Sequence, residues 1–351
     1  MLFRILKFAL SYYINFVIIF IVYLMNPVFA SNWYGPSDGP IGQKSKTVIY
    51  IASDYRNIGV TSIFRSFQNA ARKLNWKISI VNGNGSQEQI KKEFFNAVKM
   101  HPDGIILGGF QPNDFHESVN LAKKSKIILV GWHAGDKPGS NDDLFVNVAT
   151  EAKEVAKMAA DYVIKQSNGK AGVIIFNDSH FDVANEKTKR MKEEIEKCKK
   201  CKVLSVEDIA ISNAKFDIPK IVPILIKKYG DNWTHTLAIN DIYFDNIISP
   251  LIEENRNDIL NISAGDGSSK AINRILNDPS QQMATIAEPL NIQGWQIADE
   301  LNRAFSNKSP SGFVTKPILV TTDFLKKLNG ANIESNINYE QGYLDIWKIK
   351  K

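Results

Sequence analysis

The sequence predicts an α/β protein made of two similar halves, each a mainly parallel sheet with helices packed on it. Three observations carry this prediction. Apolar strand-like runs alternate with amphipathic helical runs along nearly all of the 351 residues, as successive βαβ units do. The alternation starts near Lys46 and starts afresh near Thr150. Many apolar runs also stop abruptly in a polar or aromatic cluster. VIYIA precedes Ser53-Asp54-Tyr55-Arg56, IILVG precedes Trp132-His133, and GVIIF precedes Asn177-Asp178. TLAI precedes Asn240-Asp241, NISAG precedes Asp266, and ATIA precedes Glu288. Parallel α/β sheets bind ligands just beyond the carboxyl ends of their strands, so the pattern describes a pocket between sheets more than one concentrated catalytic motif.

The elements follow in order. Residues 31–45 are rich in Gly, Pro and Ser and read as an irregular lead-in. A strand at 47–52 precedes a helix whose apolar positions Val60, Ile63, Phe64, Phe67, Ala71 and Leu74 fall on one stripe. Then come a strand at 77–81, a helix at 87–100, a strand at 104–107, a helix at 115–123 and a strand at 127–130. The second half reads helix 151–166, strand 172–176, helix 183–197, strand 202–206, helix 218–228 and strand 236–239. Helix 243–254, strand 259–264, helix 270–276, strand 283–287 and helix 292–305 continue it. Strands near 317–321 and 344–348 close the reading. No short repeat and no low-complexity tract interrupts this order.

The N-terminus reads as a secretory signal. Arg4 and Lys7 give a positive start, Phe16 to Met25 an apolar stretch too short to span a bilayer, and Val28-Phe29-Ala30 a cleavage site after Ala30. An uncleaved anchor over 8–25 is the rival reading. No Cys follows the apolar stretch, so a lipid anchor is excluded. Losing Arg4 and Lys7 lowers the formal charge from +6 to +4. The lysines are spread along the sequence and read as a solvated surface, without nucleic-acid binding. The two cysteines, Cys198 and Cys201, lie in EKCKKCKV between a helix end and a strand. In an oxidising compartment a structural disulfide is favoured. A redox pair needs a helix start to lower a thiol pKa, and structural zinc needs four ligands.

Several chemistries lack their motifs. There is no G-x-S-x-G, H-E-x-x-H or Walker A loop, and Gly83-Asn84-Gly85 lacks the third glycine of a dinucleotide fingerprint. His101, His116 and His235 read as surface residues. The chain is therefore expected to be no enzyme and to hold no cofactor and no metal.

PDGIILGG, KIILVGWHAG, HTLAINDIYFDN, NISAGDGSSKAI and ATIAEPLNIQGWQIADELNRAF together carry a resemblance over about Thr47 to Phe324. The chain resembles the periplasmic solute-binding proteins of sugar-type ABC transporters, the ribose- and galactose-binding group. That resemblance implies two Rossmann-like lobes joined by a three-crossover hinge, the type I periplasmic binding protein fold. It implies a first lobe of 46–149 plus 289–314, a second of 150–288 plus 315–340, and a tail of 341–351. A small polar, sugar-like ligand would be trapped between the lobes of a periplasmic monomer and passed to an ABC permease. The alternative is a membrane sensor, a kinase or chemoreceptor, reading the same occupancy. LacI-type repressors share the ligand-binding half, but a signal peptide stands here where they carry a DNA-binding helix-turn-helix.

The family's site residues carry over unevenly. Its Asp-Arg after the fourth strand is Trp132-His133 here, its Asn-Asp pair is Asn240-Asp241, its ligand-binding Asp is Asp266, and its hinge Gln is Glu288. The aromatic residues that sandwich the sugar align with Gly59 and Val60, leaving Tyr55 or Trp132 as replacements. The Arg at the start of a second-lobe helix aligns with Asn185. A sugar needs flat apolar surfaces and planar polar groups. Asp54, Tyr55, Arg56, Trp132, His133, Asp178, Phe181, Asn185, Asn240, Asp266 and Glu288 are the candidate ligand contacts. The excess of carboxylates also suits a cationic or amine-bearing ligand. Bland roles compete: helix capping for Asn240-Asp241, a turn for Asp266, mutual pairing for Asp54 and Arg56.

Overall fold

The computed structural model describes residues 33–277 and 282–350. The expected signal segment and its cleavage after Ala30 lie outside these residues. From Gly35 onward the chain forms one compact unit.

Two sheets organise it. The first contains β1 (Thr47–Ala52), β2 (Lys77–Asn82), β3 (Gly104–Gly108), β4 (Ile128–Trp132) and β5 (Val146–Val148), in the order β2-β1-β3-β4-β5. All its pairings are parallel. The second contains β6 (Gly172–Asn177), β7 (Lys202–Asp208), β8 (His235–Ala238), β9 (Leu260–Ser263), β10 (Gln282–Ala287) and β11 (Ile318–Thr321). Its order is β11-β10-β9-β8-β6-β7, and only β11 runs antiparallel. Helices cover both faces, so central strands such as β3 and β6 are buried along their whole length.

The first sheet packs with α1 (Ile58–Lys73), α2 (Gln87–Lys99) and α3 (His116–Lys124). The second packs with α4 (Ala152–Gln166), α5 (Asp182–Lys197), α6 (Ala214–Tyr229), α7 (Phe244–Glu253) and α8 (Ser269–Asn277). The chain then leaves the second sheet after β10 and enters α9 (Leu290–Phe305), which lies against α1 and β4. It returns through 306–317 to β11 and α10 (Thr322–Leu328), packed against α8. Where the chain changes sheets, Thr150 and Thr315 form an isolated parallel bridge.

Two expectations need correction. The segment expected as a strand at 344–348 is a helix, α11 (Tyr339–Trp347). Tyr339, Tyr343 and Trp347 recur every four residues and meet Trp295 of α9, with Trp347 stacked on it at 5.6 Å. That aromatic spacing fits a helix. His235 is not a surface residue. It is 5% exposed in β8, its ring contacts Thr234 Oγ1 and Gln166 Oε1, and burial pushes its pKa down to about 4.

The return to α9 makes the chain cross between sheets once more, through 329–338. On this passage Ile333 joins the apolar cluster of α8, β11 and α10. The next residue, Glu334, is 2% exposed and caps α9: its carboxylate accepts from Asn291 N at 3.0 Å and Ile292 N at 2.8 Å. The lead-in is also fixed to α9, since Asn302 accepts from Gln43 N at 2.7 Å and donates to the Pro40 carbonyl at 3.1 Å.

Candidate functional site

The carboxyl ends of the two sheets face one another across a seam. Its centre is Glu288, which follows β10 at the crossing into α9 and is 2% exposed. Its Oε2 lies 2.9 Å from His133 Nε2, from the end of β4 in the first sheet. Its Oε1 lies 3.6 Å from Lys187 Nζ, from α5 on the second sheet. One carboxylate thus joins a group from each side. Lys187 also donates to the Ala264 carbonyl at 3.0 Å. Burial alone would raise the Glu288 carboxyl, but His133 and then Lys187 outweigh it and hold it well below the usual carboxylate range.

Asp266 lies beside this chain, beyond the end of β9. Its Oδ2 accepts from Asn240 Nδ2 at 2.8 Å, while Asn240 Oδ1 caps the following turn at Ile242 N. Burial is the main force on Asp266. Glu288 and Asp241 add repulsion, Lys187 and His133 oppose it, and the balance raises its pKa. The two carboxylates are therefore pushed apart in proton affinity. Glu288 is held in its charged form by its neighbours, whereas burial disfavours the charge on Asp266.

Trp132 and His133 sit where β4 ends. The Trp132 indole donates to Gln293 Oε1 at 2.8 Å, and Gln293 Nε2 donates to Thr315 Oγ1 at 3.0 Å. A Cβ on Gly59 would come within 3.0 Å of the Trp132 ring, so the indole fills space that a side chain at 59 would need. His133 holds φ 48°, a left-handed conformation uncommon outside glycine. Its bond to Glu288 and its backbone bond to the Val148 carbonyl hold it there.

The other sequence candidates are placed differently. Arg56 grips Asp54 with Nε at 3.0 and 2.9 Å from the two carboxylate oxygens, and its side chain is 81% exposed. Tyr55 is also exposed. Asp178 is buried, but its oxygens are used by His180 N, the His180 ring and Ile211 N. Asn185 accepts from Asn177 and donates to the Ser179 carbonyl, so it serves its own loop. Phe181 is exposed just before α5. Asp241, the partner of Asn240, holds Ser268 N and Gln282 and is buried. Cys198 and Cys201 lie side by side as a pair, with their Cα atoms 5.2 Å apart.

Sequence reasoning missed several participants. Lys187 is the group that α5 sends to the seam, two residues on from Asn185. Its signal was a lysine on the buried stripe of Ala184, Thr188, Met191 and Ile195. Gln293 and Thr315 gave no local signal, because their roles depend on the crossings meeting. Gln111, after β3, donates to Asp136 at 3.3 Å and across the seam to Asp182 of α5 at 3.2 Å. Among the described residues no cluster of His, Cys, Asp and Glu is arranged to hold a metal ion.

No curated protein matches the chain. Solved structures do. The chain is similar to an ABC transporter solute binding protein from Agrobacterium vitis with bound allitol, at 15% identity and TM-score 0.70, covering 82% of this chain and 98% of that one. It is similar to the 5-methylthioribose transporter solute binding protein of Thermotoga lettingae, at 14% identity and TM-score 0.71, covering 85% and 93%. A third is the periplasmic binding protein component of the arabinose ABC transporter from Shewanella sp. ANA-3, bound to L-arabinofuranose, at 14% identity and TM-score 0.71, covering 85% and 97%. At these identities the likeness establishes the fold. A family model described as a periplasmic binding protein domain matches residues 48–309, and with the two facing sheets this shows that the chain belongs to the periplasmic binding protein family.

Proposed function

We propose that this chain captures a small polar, sugar-like solute in the seam between its lobes and delivers it to an ABC permease. The observation that carries the reading is the chain His133–Glu288–Lys187, with Asp266–Asn240 beside it. It gathers donors and acceptors from both sheets around one point, next to the Trp132 indole. Trp132, His133, Lys187, Asn240, Asp266 and Glu288 are the proposed contacts, with Tyr55 and Phe181 at the rim. Lys187 and His133 offset the carboxylates, which favours a neutral polyhydroxylated ligand over an amine. The relatives named above, with bound allitol, 5-methylthioribose and arabinofuranose, support a sugar-like ligand.

The proposed lobes are 46–149 with 289–314 and 150–288 with 315–340. Binding closes one lobe on the other, and no chemical turnover is involved. The protein is proposed to be exported to the periplasm and to act as a monomer.

The test is thermal unfolding of the chain from Ser31 with a panel of sugars, polyols, amines and carboxylates. A ligand at about 100 times its dissociation constant stabilises by roughly 2.7 kcal/mol. The expected result is a raised midpoint with one polyol or sugar, weakened roughly tenfold to hundredfold in affinity by Asp266→Ala. A midpoint raised only by amines would overturn the ligand class.

A further inference from the structure

We infer that the pole of the second lobe opposite the seam is a lysine pad that docks on an anionic lipid surface. Two loops meet there, at the amino ends of β6 and β7. The first is 165–171, which leaves α4; the second is 197–202, which leaves α5. Lys202 N donates to the Ala171 carbonyl at 2.8 Å, and Cys198 Sγ lies 3.4 Å from the Gly169 carbonyl. The Cys198–Cys201 pair closes the second loop on itself. Together the loops carry Lys165, Lys170, Lys197, Lys199, Lys200 and Lys202, all exposed, and no acidic residue. The sequence shows the run from Lys197 to Lys202, but not that Lys165 and Lys170 meet it.

Charge balance around the pad is one-sided. Lys197 pairs with Glu194, but no ion pair engages Lys165, Lys170, Lys199, Lys200 or Lys202 among the described residues. The neighbouring Glu193 and Glu196 pair with Arg190 and Lys192 of their own helix. Asp258 is held by Arg256. Asp231, on the loop whose Asn232 covers Gly172, is the local opposing charge. Lys165 and Lys197 stand in the last turns of their helices, where they also complement the helix dipoles. Lys170, Lys199, Lys200 and Lys202 have no such role.

The chemistry selects the partner. All six cations are lysines and none is an arginine. Lysine offers a mobile point charge with no fixed fork, which suits a diffuse field of phosphates better than a shaped acidic protein surface. Large apolar side chains are absent from the two loops, so attachment is electrostatic and salt-sensitive. Because the pad sits at the amino ends of the strands, the seam at their carboxyl ends stays open to solute while the protein rests on the membrane.

The experiment uses the chain from Ser31, since residues 35–351 form a compact unit and the apolar N-terminal segment would add its own lipid affinity. Vesicles of phosphatidylcholine, with or without about a third phosphatidylglycerol, are sedimented at about 20 mM and about 300 mM salt. Expected is binding to the anionic vesicles at low salt only, weakened at least roughly tenfold by Lys170, Lys199, Lys200 and Lys202→Gln. The control, Lys92, Lys124, Lys126 and Lys327→Gln, removes the same charge elsewhere and should keep binding. If the first set fails to fold, Lys199→Glu with Lys200→Glu on the exposed turn replaces it. Equal loss in both sets would reduce the effect to net charge and overturn the pad. So would an absence of vesicle binding at low salt, or binding to an acidic polypeptide but not to vesicles.

Discussion

At the ends of β1 and β6 the polar side chains are taken up on their own side of the seam. Asp54 holds Arg56 two residues on, and Asp178 holds His180 two residues on and Ile211 N beyond β7. At the ends of β4 and β10 the partners are distant: His133 and Glu288 are 155 positions apart, Trp132 and Gln293 161. Short-range pairs shape a loop and leave little for a ligand. Of the long-range pairs, His133–Glu288 ties the first sheet to the crossing that leaves the second, while Trp132–Gln293 ties β4 to α9. Trp132, His133 and Glu288, all proposed solute contacts, belong to the second kind.

The strongest way to break this contrast is at Glu288. Removing its carboxylate by Glu288→Ala strands Lys187 in a buried site, and losing one partner of a buried pair costs about 3–5 kcal/mol. Urea unfolding should show that loss, and Lys187→Met in the same background should recover part of it. Simple additivity of the two changes would mean the pair is not coupled. Asp178→Ala should cost less, about 1–3 kcal/mol for the orphaned Ile211 N–H, and should leave solute affinity unchanged by calorimetry. An affinity loss there would move Asp178 into the seam group.

A smaller effect is expected from pH. Burial pushes Glu300 and Glu334 up to about 7, above the unfolded value of about 4.3. Between these values the folded state binds more protons. Their contribution to stability is complete below about pH 4.3 and is lost as pH rises through about 7. The unfolding midpoint should fall over that window, and Glu334→Gln should flatten the fall by roughly half. An unchanged slope would remove Glu334 as its source. Glu288 and its depressed pKa act oppositely: its contribution is present above the unfolded value of about 4.3 and is progressively lost as pH falls below it. The smallest effect is reserved for Asp54→Ala. An exposed pair contributes little, so neither the midpoint nor solute affinity should move measurably.

Much of this architecture is legible in the amino-acid sequence. The succession of strands and helices along the chain follows from apolar periodicity, and Trp132, His133, Asn240, Asp266 and Glu288 all stand at strand ends. What escapes has a physical pattern. Asp54, Arg56 and Asp178 have the right residue types at the right strand ends, but spacing cannot show that a neighbour two residues on will satisfy them. Lys187 is easily passed over because a lysine on an amphipathic helix is ordinarily solvated. Residues 344–348 alternate like a strand, and only the distant Trp295 makes α11 the better packing.

Glu334 gives the molecule a dependence on its own tail. The stretch that carries it leaves α10 through Asn329 and Gly330, at φ 49° and 84°, and ends on the amino terminus of the helix that begins two residues after Glu288. In the proposed opening of the lobes, this strap either swivels about that turn or gives up its cap on α9. On that proposal, the ease of releasing a solute depends in part on residues outside the proposed contacts.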